Sequence, residues 1–183
     1  MPSELEPTEG LDRAAILDLL ADVASEAERR EVSLSIFLVG GAAMALAYST
    51  SRATKDLDGV FEPKAIVYEI AASVAANRPE LGLPPDWIND AAKSFLPGDD
   101  LQASTLFESP GLAVRVASPR YLFVMKALAA READEDDLRT LYPLCGFGGA
   151  EEALDVVTAA YPGRLLKAST QYLVEGIAAE FAE

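Results

Sequence analysis

Asp56 and Asp58 stand two positions apart in the run Arg52-Ala53-Thr54-Lys55-Asp56-Leu57-Asp58-Gly59-Val60-Phe61. Side chains alternate along a strand, so a strand carrying both aspartates sends them to the same face. Aspartate is disfavoured in strands, and two on one face repel unless a cation lies between them. Magnesium takes one or two carboxylates plus substrate phosphate oxygens. In a two-metal site such cations activate an attacking hydroxyl and stabilise a leaving pyrophosphate. These residue types therefore suit Mg2+ or Mn2+ together with a nucleoside triphosphate. The plainer alternative makes Asp56 a loop cap and Asp58 a solvated side chain.

Other residues fit the same chemistry, each with an ordinary alternative. Gly40-Gly41 follows the apolar run Phe37-Leu38-Val39. Lacking Cβ atoms, it lets backbone amides approach a phosphate at a helix start, or it is only a tight turn. Arg52 offers a planar fork for phosphate, and Thr54 shares the facing of Asp56 and Asp58 if the strand starts early. Lys126 lies among Leu122, Val124, Met125 and Leu128. It either snorkels to the surface or turns into a cleft to hold a triphosphate. The acidic run Asp134-Glu135-Asp136-Asp137 suits a helix start, with one member free to face the cleft. In a helix continuing from Lys126, Asp137 falls nearly on the same face and Asp134 less so.

Hydropathy spacing supplies the elements that must position these groups. Apolar residues at helical intervals predict a helix over 11–30. A strand follows over 33–39, a buried helix over 41–48 and a polar loop over 49–55. A second strand over 57–62 ends at Pro63, and a helix runs over 63–77. Residues 81–90 predict a structured loop leading into a short helix. Two strands, 101–107 and 112–117, are joined by Ser109-Pro110-Gly111. Helices are expected over 119–129, from the acidic run to about 144, and over 150–161 and 165–182. The expected organisation is a flexible lead over 1–10, one domain over 11–145, and a helical extension over 146–183 packed on that domain.

Composition removes whole classes of chemistry. The 183 residues contain no histidine, which excludes Ser-His and Cys-His catalysis and histidine-ligated zinc. The single cysteine, Cys145, excludes an internal disulfide and reads as a small buried hydrophobe. A net charge of −15 argues against a broad, sequence-blind grip on nucleic acid. The start of the chain lacks the basic and apolar regions of a signal peptide, and no apolar run spans a bilayer. These features predict a cytoplasmic protein with no membrane partner.

Taken together the motifs resemble the nucleotidyltransferase superfamily related to DNA polymerase beta. There a Gly-Gly or Gly-Ser turn precedes an Asp-x-Asp strand by about a dozen residues, with a later third acid. The chain is most similar to the bacterial group of abortive-infection nucleotidyltransferase toxins and related uncharacterised proteins. It shares with them Val39-Gly40-Gly41-Ala42-Ala43, Arg52-x-Thr54-x-Asp56-Leu57-Asp58, the segment Leu81-Gly82-Leu83-Pro84-Pro85-Asp86-Trp87-Ile88-Asn89-Asp90, and Met125-Lys126 with the acids beyond. No chemical role for the 81–90 segment follows from the sequence.

The resemblance implies an α+β fold, a small mixed sheet flanked by helices with a helical C-terminal part. It implies Asp56 and Asp58 as magnesium ligands and Lys126 as a nucleotide-phosphate contact. Asp134, by spacing from Lys126, or Asp137, by helical facing, is the third acid. Gly41 and Ala42 carry no hydroxyl where the commoner turn has serine, which leaves nucleotide binding to backbone amides. The implied activity is transfer of a nucleoside monophosphate from a triphosphate to an acceptor hydroxyl. Transfer RNA is the first acceptor, and an antitoxin protein the partner if the chain is a toxin. The competing expectation is a catalytically weak module that binds a nucleotide or a protein on the same scaffold.

Overall fold

The computed structural model describes residues 10–48 and 51–182. The flexible lead expected over 1–10 therefore lies almost wholly outside the described residues, as does part of the 49–55 loop. The chain divides into two compact units: the first runs to Ala91 and takes in Thr105–Val116, and the second comprises Ala92–Ser104 and the chain from Ala117 onward.

In the first unit, helix α1 (Arg13–Arg29) starts where the Asp12 carboxylate accepts the Ala15 N–H at 2.8 Å. That cap satisfies a donor the first turn cannot pair itself. Ile16, Leu19, Leu20, Val23 and Ala27 make its buried face. Strand β1 (Leu34–Leu38) leads through Gly40–Ala43 (α2) into a π-helical turn at Met44–Tyr48. The expected single helix over 41–48 is thus interrupted. Arg13 Nε–H donates to the Leu46 carbonyl at 3.0 Å, pairing one acceptor of the turn.

Strand β2 (Leu57–Glu62) runs antiparallel to β1, and α3 (Lys64–Asn77) follows. Strands β4 (Ser104–Glu108) and β5 (Leu112–Val116) form a hairpin, and β5 pairs parallel to β1. The five strands lie in the order β3-β2-β1-β5-β4, a mixed sheet. Leu34, Ile36, Leu38, Leu57, Phe61, Leu112 and Val114 form one core with the buried faces of α1 and α3. Residues 101–103, expected to begin β4, instead form a turn in which the Asp100 carboxylate accepts the Gln102 and Ser118 N–H groups.

Strand β3 (Ile88–Asn89) corrects the loop expected over 81–90. It pairs parallel to β2, Leu57 with Ile88 and Asp58 with Asn89. Two residues carry no periodicity. The strand exists because Trp87 and Ile88 are fully buried and Leu57 N–H donates to the Trp87 carbonyl at 2.7 Å. A 3-10 turn, Ala91–Phe95, stands where a short helix was expected.

The second unit is helical. Helix α4 (Pro119–Ala129) begins at Ser118, whose Oγ accepts the Tyr121 N–H, and stops at Ala130 in the left-handed region, φ 45°. A 3-10 turn (Glu132–Asp134) leads into α5 (Glu135–Cys145), followed by α6 (Ala150–Ala160) and α7 (Ala168–Glu180). The rings of Phe123, Tyr142 and Phe147 meet with centroids 5.1 to 5.9 Å apart. The fold is α+β: a five-stranded mixed sheet and seven α-helices among the described residues. None of those helices is long and apolar enough to cross a membrane.

Candidate active site: an aspartate pair beside a glycine turn

Burial alternates from Asp56 onward. Leu57, Gly59 and Phe61 are buried in the core, while Asp56, Asp58 and Val60 are half-buried on the opposite face. The two carboxylates therefore share a face, in line with the two-residue repeat of a strand. Phe37 on β1 is in register with Val60 and with Arg115 on β5, so these residues lie on that same face.

The glycine turn abuts this face. Val39 N–H donates to the Asp58 carbonyl at 2.9 Å, the last rung between β1 and the aspartate strand. Gly40 then takes φ +62°, a left-handed conformation that favours glycine. A Cβ on Gly40 would lie 3.8 Å from both Asp58 Cβ and Asp58 Oδ2. A Cβ on Gly41 would stand 2.8 Å from Thr54 Oγ1. Thr54 is fixed in turn. Its Oγ1–H donates to the Asp56 carbonyl at 3.0 Å, and its backbone exchanges two hydrogen bonds with Leu11, at 2.6 and 2.9 Å. Arg52, two residues earlier, is half-buried.

Asn89 joins this site from a segment whose sequence implies no chemical role. Asn89 Nδ2–H donates to Asp56 Oδ2 at 3.2 Å, and the Asn89 Oδ1 accepts the Ala91 N–H at 3.0 Å. The segment around it is tied to α3. Trp87 Nε1–H donates to the Ala71 carbonyl at 2.9 Å, while Asp90 accepts from Lys64 at 2.6 Å and Tyr68 at 2.7 Å. Those two donors hold the Asp90 carboxyl below its ordinary pKa. The only sequence signal for Asn89 was its place in the segment shared with relatives.

Lys126, Asp134 and Asp137 form a second charged group, within the second unit. All three are buried, and Lys126 Nζ lies 2.7 Å from Asp134 Oδ1 and 2.8 Å from Asp137 Oδ2. Lys126 thus does not snorkel to solvent. Both candidate acids reach it, although the helix continuing from Lys126, on which facing favoured Asp137, is broken at Ala130. In the acidic run, Glu135 and Asp136 instead contact Arg139, at 3.5 and 3.4 Å.

Among the described residues, no cluster of three or more His, Cys, Asp or Glu is arranged to hold a metal ion. The donor set at Asp56 and Asp58 is a carboxylate pair with a neutral amide on one member. It fits Mg2+ or Mn2+ held jointly with substrate phosphates, not an all-protein cage.

A family model described as nucleotidyltransferase of unknown function (DUF6036) matches residues 15–142. No curated protein and no solved structure matches the chain. The matched span carries the sheet, the aspartate pair with its glycine turn, Asn89, and the Lys126 group, and the chain belongs to this nucleotidyltransferase family.

Proposed function

We propose that the chain is a magnesium-dependent enzyme that transfers a nucleoside monophosphate from a triphosphate to an acceptor hydroxyl. The observation that carries this reading is the half-buried pair Asp56 and Asp58, on one face and bracketed by Gly40 and Asn89. In the reaction the acceptor oxygen bonds to the α-phosphorus. The bond to the β-phosphate bridge oxygen breaks, pyrophosphate leaves, and the hydroxyl proton passes to a carboxylate or water. Bound Mg2+ supplies charge neutralisation on the phosphates and the leaving pyrophosphate. Asp56 and Asp58 would hold it, and the Gly40-Gly41 backbone and Thr54 would bound the nucleotide. Little covalent chemistry falls to the protein, whose contribution is positioning and electrostatics.

The resemblance assigns Lys126 to the nucleotide phosphates and Asp134 or Asp137 to the third acid. The ion-paired triad is the state from which those duties would start. The same resemblance makes the 3′ end of transfer RNA the first acceptor to test, and a toxin restrained by an antitoxin the first biological role. The net charge of −15 keeps a small-molecule or protein hydroxyl among the acceptors.

The test incubates purified protein with Mg2+ and each labelled triphosphate, with and without total RNA. Label transfer or pyrophosphate release is expected, and Asp58→Ala is expected to abolish it without unfolding the protein. Tight triphosphate binding with no transfer across a broad acceptor panel would overturn the enzyme in favour of a binding module.

A further inference from the structure

We infer that Asn89 is a positioning residue for the Asp56 carboxylate and that β3 is the mount holding it in place, an inference that rests on reading Asp56 and Asp58 as cation ligands. Asn89 is placed against both aspartates, by register with one and by a hydrogen bond to the other. Its backbone lies opposite Asp58 in the parallel register, and its side-chain amide donates to Asp56 Oδ2 at 3.2 Å. The amide cannot turn over without loss, because Oδ1 already accepts the Ala91 N–H at 3.0 Å. The NH2 end is thereby committed to Asp56.

The residues flanking Asn89 hold its backbone. On one side Trp87 is fully buried and bonded to the Ala71 carbonyl. On the other, Asp90 accepts from Lys64 and Tyr68. Both anchors belong to α3, so the helix fixes where the amide sits.

The chemistry of the donor matters as much as its place. An amide orders a carboxylate without neutralising it. A lysine or arginine in that position would add a positive charge competing with a bound cation. One oxygen of Asp56 accepts the amide N–H and the other is left for a metal. Partners of this kind behind a metal ligand typically change affinity ten- to a hundredfold when removed.

The experiment titrates Mn2+ alone into the intact chain, following free Mn2+ by electron paramagnetic resonance and the melting temperature by calorimetry. Asn89→Ala is expected to raise the Mn2+ dissociation constant at least tenfold in a folded protein. Asn89→Asp keeps an acceptor for Ala91 N–H but sets a like charge against Asp56. It is expected to melt lower without metal and to gain more from Mn2+ than the native chain. The two variants should therefore move the Mn2+ response in opposite directions, which a residue that merely caps Ala91 would not do. A native Mn2+ response in Asn89→Asp overturns the inference even if Asn89→Ala fails to fold. Asp58→Asn is the control for the underlying reading. If neither Mn2+ alone nor Mn2+ with a nucleoside triphosphate gives the native chain a response that Asp58→Asn removes, the carboxylate pair is not a cation site and the inference falls with it.

Discussion

Gly41 and Thr54 meet with no room for a side chain between them: a Cβ on Gly41 would lie 2.8 Å from Thr54 Oγ1 and 3.3 Å from Thr54 Cβ. Thr54 cannot swing aside cheaply, because its hydroxyl is bonded to the Asp56 carbonyl and its backbone to Leu11. Gly41→Ala is therefore expected to cost about 1–3 kcal/mol, the usual range for overpacking. Thr54→Ala removes Oγ1, so the double variant should be less destabilised than the sum of the two singles. Urea melts of the four proteins measure that coupling, and additivity would refute the contact. Gly40→Ala is a separate case. Space exists there, and the expected loss of about 1–2 kcal/mol comes from its left-handed backbone at φ +62°.

Trp87 is the chain's single tryptophan, fully buried, with its indole N–H on the Ala71 carbonyl. Its fluorescence should resist acrylamide quenching in the native protein and become quenchable on unfolding. Trp87→Ala is expected to cost about 3–5 kcal/mol. Trp87→Phe keeps most of the apolar contact but loses the indole hydrogen bond to the Ala71 carbonyl, for a loss of about 0.5–1.5 kcal/mol. Because Trp87 anchors β3, even the milder variant should weaken Mn2+ binding in parallel with stability. Native metal affinity in a destabilised Trp87→Phe protein would separate the anchor from the site.

Lys126 Nζ bridges two buried carboxylates, Asp134 and Asp137. Lys126→Met leaves both acids buried without their cation and is expected to destabilise by about 3–5 kcal/mol. Adding Asp134→Asn and Asp137→Asn removes the stranded charges and should recover most of that loss, since neutral replacements of buried ion groups are often tolerated. Chemical denaturation of the single and triple variants checks the recovery. The triple variant also separates two duties of the lysine. Restored folding with triphosphate binding retained makes Lys126 a structural counter-ion, whereas binding lost in the triple variant but kept when only Asp134→Asn and Asp137→Asn are present assigns Lys126 to the phosphates.

The elements that were legible in the sequence are those whose pattern is local. Leu19, Leu20, Val23, Ala24 and Ala27 repeat at helical spacing, and α1 forms there with those residues buried. Leu57, Gly59 and Phe61 alternate with Asp56, Asp58 and Val60, which is enough to put both carboxylates on one face. What could not be read depends on partners distant in the chain. Strand β3 is two residues long and is specified by pairing with Leu57 and Asp58, some thirty positions earlier. The role of Asn89 follows from that pairing, so it was invisible too. Facing arithmetic along one helix favoured Asp137 over Asp134 because it could not foresee the left-handed Ala130 and the 3-10 turn that bring both to Lys126. Strand β4 starts at Ser104, three residues after the predicted start, because the Asp100 cap on Ser118 is again a long-range contact.

Cys145 is buried, and desolvation pushes its thiol up to about 12, with Arg120 opposing the shift. The thiolate is the reactive form, so alkylation by iodoacetamide near pH 8 should be far slower in the native protein than in denaturant. A stability consequence follows from the same shift. Below the ordinary thiol pKa both folded and unfolded chains keep the proton, and the group's stabilising contribution is fully present. As pH rises from about 9 toward about 12, the unfolded thiol ionises while the folded one is held neutral, and stability is lost. The phenols of Tyr121, Tyr142 and Tyr161, also raised by burial, lose stability in the same direction from about pH 10. The cysteine component is therefore isolated as the difference between the native chain and Cys145→Ala. The alanine variant should start less stable at pH 7, and the gap should narrow as pH climbs through that window. A gap constant with pH would show that Cys145 ionises as readily folded as unfolded, which its burial forbids.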